Sequence, residues 1–209
     1  MSAIEQRFGS RPGPRDVEIL REPSGAPFAR VASDPSGQCP WPAGTRVPVS
    51  LSNSHSHAHA LCALAWTEGA DACGPAVGVD LERVEPRSEG FVRDFLTAPE
   101  RAFCAAGVTA DRDRRANLVW SAKEAVLKVL KRGLTADTWW LTCLPRAPSP
   151  DDEAVSLVPA EVEWHRFDVK TDPRLGAGAW RFVGLWCDLP GFVATLAIGT
   201  AAGRAQGWG

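Results

Sequence analysis

The sequence predicts an α+β fold. One long stretch, residues 112–131, repeats its apolar residues with helical spacing, and the segments on both sides of it alternate apolar and polar residues as short strands do. Its 209 residues suit one large domain or two small ones with a sizeable core.

Residues 1–16 are polar and rich in Arg, Gly and Pro, so the first dozen are expected to be poorly ordered. Residues 17–20 read as a strand, followed by a turn at Pro23-Ser-Gly25-Ala-Pro27 and a second strand near 28–31. Residues 33–46 are expected to form a loop, and 47–52 and 61–66 to be strands around a His-rich segment. Helical signal is weak here: 66–75 is too short, and 37–46 is too rich in Pro and Gly.

A strand over 77–82 puts Val77, Val79 and Leu81 on one face and Gly78, Asp80 and Glu82 on the other, so two carboxylates project side by side. Thr97-Ala-Pro-Glu100 is a capping box for a short helix that ends at Gly107. In the long helix Leu118, Val119, Ala122, Val126, Val129 and Leu130 gather on one stripe, with Ser121, Glu124, Lys128 and Lys131 opposite, and Gly133 stops it. Lys123 lands at the stripe's edge, where it either snorkels outward or has an inward task. Residues 139–144, 162–169, 180–186 and 192–198 alternate as strands, separated by a Pro-rich stretch at 145–150 and a polar one at 171–178.

Lys and Arg number 23 against 25 Asp and Glu, a formal charge of −2, so bulk charge argues against nucleic acid as a partner. The six cysteines show neither Cys-x-x-Cys nor zinc spacing and read as buried small hydrophobes. With no signal-peptide core and no apolar run of membrane length, the expectation is a reduced, cytoplasmic protein without a membrane partner. Basic residues cluster at Arg112, Arg114, Arg115 and at Lys128, Lys131, Arg132, either as solvated helix faces or opposite an acidic ligand.

Asp80, Glu82 and Glu124 together would suit Mg²⁺, which takes hard oxygen ligands and keeps several waters. Glu124 and Lys128, one turn apart, form an ion pair or hold a cation and a phosphate next to each other. Singly, each is also the pattern of a solvated strand end or a surface pair. His55, His57 and His59 alternate and on a strand would share a face, a metal-hydrolase pattern that needs further ligands, and His165 is the only other histidine.

Val77-Gly-Val-Asp80-Leu-Glu82 and Trp120-Ser-Ala-Lys123-Glu124-Ala-Val-Leu-Lys128, taken together, resemble the two signatures of the 4′-phosphopantetheinyl transferase family, surfactin-synthetase-activating type. The resemblance extends over roughly residues 18–145 and includes Ser54-His55-Ser56, the Phe95 to Phe103 segment with Glu100, and Gly133-Leu134. It implies two similar α/β halves related by a pseudo-twofold: residues 1–76 on the coenzyme A side, with the first half shortened, and 77–209 carrying the metal and catalytic motifs. The implied activity is transfer of phosphopantetheine from coenzyme A to a serine of an apo acyl or peptidyl carrier protein, by a monomer, in polyketide or nonribosomal peptide biosynthesis.

In that reading Asp80, Glu82 and Glu124 hold Mg²⁺ or Mn²⁺, and Ser54, His55 and Lys128 bind coenzyme A. Glu124 is the base, Glu100 the second choice, and Lys128 assists catalysis. The carrier would dock on Phe91, Phe95 and Leu96, rimmed by Arg87 and Arg93, although these apolar residues equally suit the core of a short helix. The chain departs from the family pattern at Ala26, where relatives often have Lys or Arg, at Asn53, and in having fewer residues before Asp80. Those departures keep a second reading open, a relative that binds coenzyme A or a carrier without transfer.

Overall fold

The structure is a computed structural model that describes residues 17–32, 42–47, 49–66, 75–106, 108–150, 152 and 162–201. The expectations for residues 1–16, for most of the 33–46 loop, for 67–74, for Cys39, Cys73 and Gly107 lie outside the described residues.

The strand read at 77–82 is β5 (Ala76–Arg83), and it forms one edge of a five-stranded antiparallel sheet. Its partners are β6 (Leu141–Arg146), β7 (His165–Thr171), β8 (Trp180–Leu189) and β9 (Phe192–Ala201), in the order β5-β9-β8-β7-β6. β6 to β9 run as a meander, with Leu189 opposite Phe192 and Gly191 at φ 77 closing the last hairpin. Between the two edge strands the chain forms α1 (Glu89–Phe95), α2 (Ala98–Ala105) and α3 (Thr109–Val129). The long helix thus starts and stops slightly before the expected 112 and 131. β6 starts at Leu141 because Thr138–Trp140 form a 3-10 turn capped by Asp137.

α3 crosses one face of the sheet, against β5, β9, β6 and β8. The approach is close: a Cβ on Gly78 would stand 1.9 Å from the carbonyl oxygen of Ala125 and 2.9 Å from the nitrogen of Val129. Only glycine lets β5 lie against the helix backbone there. The helix is not the one-striped element that its apolar spacing suggested. Ala122, Ala125, Val126 and Val129 pack with Leu141, Cys143, Phe167 and Ala197 of the sheet, and Ala116 and Val119 pack with Val92 of α1, Leu96 just after it and Cys104 of α2. With neighbours on two sides, even Asn117, Ser121 and Lys123 are buried.

Among the described residues the first half consists of hairpins. β1 (Val17–Arg21) pairs with β2 (Pro27–Val31), and Ala29 and Val31 form a small separate core with Val47 and Val49. β3 (Val49–Ser56) pairs with β4 (His59–Trp66), which draws the His-rich segment into the strands. This second hairpin joins the large sheet through side chains: Ser50 Oγ accepts from the Val77 amide at 2.9 Å and Ser52 Oγ from the Val79 amide at 3.0 Å. Leu61, Ala63 and Ala65 of β4 pack with Val77, Val79, Leu196 and Ile198, on the sheet face turned away from α3.

Lys123 has the inward task. It is fully buried with Glu100, both at 0% exposure and 2.7 Å apart. Its ammonium also donates to the carbonyl oxygens of Phe95 at 3.0 Å and Thr138 at 2.8 Å. Glu100 accepts from the amides of Thr97 and Cys143, each at 2.7 Å. Of the cysteines, Cys104, Cys143 and Cys187 are buried as expected, whereas Cys62 is exposed.

Removing one partner of a fully buried pair strands the other charge, so Lys123→Met should destabilise the protein by about 3–5 kcal/mol in urea denaturation. Adding Glu100→Gln should recover part of this loss, because glutamine carries no charge and still accepts from one of the two amides. A Lys123→Met protein as stable as the wild type would remove the pair from its structural role.

Candidate active site

Alternation along β5 turns Gly78, Asp80 and Glu82 toward α3, where Asn117, Ser121, Glu124 and Lys128 lie along one helix face. That polar line meets strands, not solvent. Ser121 Oγ lies 2.9 Å from Thr195 Oγ1 of β9, and Lys128 Nζ donates to the Val79 carbonyl and to Asp80 Oδ1, each at 2.8 Å. From the other side of β5, Ser54 Oγ donates to the same Asp80 oxygen at 2.9 Å.

Asp80 is 4% exposed. Among the described residues, its Oδ2 and Glu124 Oε1 are buried with no hydrogen-bond partner. Burial first, and then the charges of Asp80 and Glu82, push the Glu124 carboxyl up from 4.5 to about 7, against the pull of Lys128. Glu82 is also raised, by burial and by Asp80, and is drawn back by Arg87.

Arg87 is the residue that the sequence reading misplaced. Its guanidinium bonds Glu82 Oε2 at 2.8 Å and Asn117 Oδ1 at 2.7 Å and lies over the Phe91 ring at 4.7 Å. Asn117 in turn donates to the Glu85 carbonyl at 2.7 Å. Arg87 therefore clasps β5, the 84–88 loop and α3 together and is no free rim charge. The signal for Asn117 was legible, since it precedes Ser121 and Glu124 on the same helical face.

Several expected site residues are not brought together. Glu100 is walled off beneath α2 with both oxygens engaged, so it cannot reach these carboxylates. His57 sits in the β3–β4 turn at φ 55, 3.2 Å from Arg83, and the His59 ring packs on Phe192 at 4.5 Å. The turn breaks the alternation that would align three histidines. His55 is exposed, on the side of β3 opposite Ser54. Leu96 is 0% exposed and belongs to the core. Phe95 is 38% exposed and forms an aromatic triad with Phe91 and Trp120, ring centroids 5.0–5.2 Å apart.

Among the described residues no three His, Cys, Asp or Glu side chains converge as a ready metal cage. The donor chemistry nevertheless suits Mg²⁺, which is commonly held by one or two carboxylates plus water and substrate oxygens. The two buried carboxylate oxygens without partners among the described residues would be the ligands, and Glu82 is held by Arg87.

The raised Glu124 carboxyl favours the protonated fold, so its stabilising contribution is present below 4.5 and is lost as pH rises through about 7. Without divalent ions, Glu124→Gln should melt above the wild type at pH 8, with the gap closing at pH 5. Thermal melts in EDTA measure this, and a gap that did not change with pH would refute it.

No curated protein matches the chain. Among solved structures it is similar to one described as the Chronobacterium ammoniagenes ACPS-CoA complex, at 16% identity and a TM-score of 0.40, over 61% of this chain and 98% of that one. Residues 76–176, which carry Asp80, Glu82, Glu124 and Lys128, match the model of the 4′-phosphopantetheinyl transferase superfamily.

Proposed function

We propose that this chain transfers 4′-phosphopantetheine from coenzyme A to a serine of an apo acyl or peptidyl carrier protein, releasing 3′,5′-adenosine bisphosphate. The observation that carries this reading is the pair of unpartnered buried oxygens, Asp80 Oδ2 and Glu124 Oε1, on the segment that matches the superfamily and next to Lys128. Asp80, Glu82 and Glu124 would hold Mg²⁺ or Mn²⁺, which supplies positive charge to the pyrophosphate oxygens.

In the reaction, the carrier's serine oxygen attacks the β-phosphorus of coenzyme A. The bond from that phosphorus to the bridging oxygen breaks, and its electron pair leaves with the adenosine bisphosphate. The serine proton passes to Glu124, or to a water that Glu124 orients, as the general base. Lys128 places its ammonium beside the developing charge. His55 is assigned to the 3′-phosphate of coenzyme A, with residues 1–76 as the coenzyme A side and 77–209 as the catalytic side. Phe91, Phe95 and Trp120 with Arg93 are the surface assigned to the carrier protein, in a cytoplasmic monomer. No helix of the described residues is long and apolar enough to cross a membrane.

One observation favours a relative that binds without transfer: Arg87 holds Glu82 Oε2 and Lys128 holds Asp80 Oδ1, so two of the three carboxylates already carry a cationic side chain. Mass spectrometry separates the readings. With coenzyme A, Mg²⁺ and apo carrier proteins, the wild type should add a phosphopantetheine mass to the carrier. Asp80→Ala and Glu124→Ala should each slow this by about 10²-fold or more with an unchanged circular dichroism spectrum. An unmodified carrier, with coenzyme A bound, would leave the binding reading.

His55→Ala should raise KM for coenzyme A with little change in kcat, whereas Lys128→Ala should lower kcat. Equal wild-type KM values for coenzyme A and dephospho-coenzyme A would exclude the 3′-phosphate contact.

A further inference from the structure

Three alternating serines of β3 face β5, and the third behaves differently from the first two. Ser50 and Ser52 accept from successive outward amides of β5, those of Val77 and Val79. The next amide in that series is Leu81's. Ser54 instead donates its proton to the side chain of Asp80, at 2.9 Å and in a buried setting.

Asp80 Oδ1 therefore receives two donors from opposite sides of its strand, Ser54 of β3 and Lys128 of α3 at 2.8 Å, while Oδ2 receives none among the described residues. Two donors on one oxygen fix the rotation of the carboxyl group and leave a single defined oxygen for a ligand. A hydroxyl has one proton, and that of Ser54, a residue 9% exposed, is already committed. His55, exposed on the other side of β3, does not share this task.

We propose that Ser54 is a positioning residue that orients the Asp80 carboxylate for a divalent cation, and not a contact to the coenzyme's phosphate. The proposal rests on the transferase reading above for the identity of the cation. Hydrogen-bond donors that orient a ligating carboxylate typically change metal affinity by 10–100-fold when removed.

The test is Mn²⁺ binding to the full chain without coenzyme A, followed by the free-ion signal in electron paramagnetic resonance. Ser54→Ala should bind Mn²⁺ about tenfold more weakly than the wild type. Ser54→Thr, which keeps the hydroxyl, should restore most of the affinity, and Ser52→Ala, which removes a hydroxyl from the same seam without touching Asp80, should bind as the wild type does. A second readout is transfer kinetics: Ser54→Ala should lower kcat by the same factor with coenzyme A and with dephospho-coenzyme A. Unchanged Mn²⁺ affinity in Ser54→Ala, equal weakening in Ser52→Ala, or a wild type that takes up no Mn²⁺ would each overturn the proposal. So would a rise in KM for coenzyme A that is absent for dephospho-coenzyme A. A wild type that binds Mn²⁺ yet modifies no carrier would overturn the transferase reading alone, because the Mn²⁺ comparison still decides the role of Ser54.

Discussion

The buried pair of Lys123 and Glu100 is the constraint on which the arrangement of the second half depends. An ammonium and a carboxylate removed from water are tolerated only when their mutual attraction is joined by further hydrogen bonds. Here the lysine reaches the end of α1 and the turn before β6, and the glutamate reaches the start of α2 and the amide of Cys143 in β6. Five segments meet at two side chains. Because successive helical residues are rotated by about 100°, holding Lys123 in this pocket sets the roll of α3 and aims Glu124 and Lys128 elsewhere, toward β5.

What α3 presents to β5 is a line of polar side chains at a helix–strand contact close enough to require Gly78. Such an interface is costly unless each group finds a partner. Ser121 finds Thr195, Asn117 finds Arg87 and the Glu85 carbonyl, and Lys128 finds Val79 and Asp80. Asp80 and Glu124 each keep one oxygen without a partner among the described residues. Among the described residues, the polar groups along this seam are thus satisfied except at these two carboxylates, and burial first, with the charge of Asp80 second, raises the Glu124 carboxyl.

The two parts of the molecule meet by a different logic. Serine hydroxyls of β3, and not a backbone ladder, satisfy the outer edge of β5, so the strand that carries Asp80 is held by β9 on one side and by side chains on the other. An edge strand with unpaired amides invites pairing with another chain; hydroxyls occupy those amides at Val77 and Val79 and leave the third serine for a side chain. Arg87 completes the enclosure from the far end of β5, tying Glu82 to α3.

Local pattern determined a good deal of this. The alternation from Val77 to Glu82, the long helix, the Thr97–Glu100 box and the strand order of apolar and polar residues are short-range signals, and each corresponds to an element of the fold. Glu124 and Lys128 share a face at any helix position, so their neighbourhood was legible as well. Only the tertiary structure decided that Glu100 belongs to the core and not to the site, that Arg87 clasps Glu82 and is not a rim charge, that the three histidines are split by a turn, and that Ser54 turns to Asp80. Each of these depends on what a second segment, distant in sequence, places opposite the residue. A carboxylate reads the same in sequence whether water, an amide or a lysine faces it, and its burial and partners, which set its chemistry, exist only once the chain has closed around it.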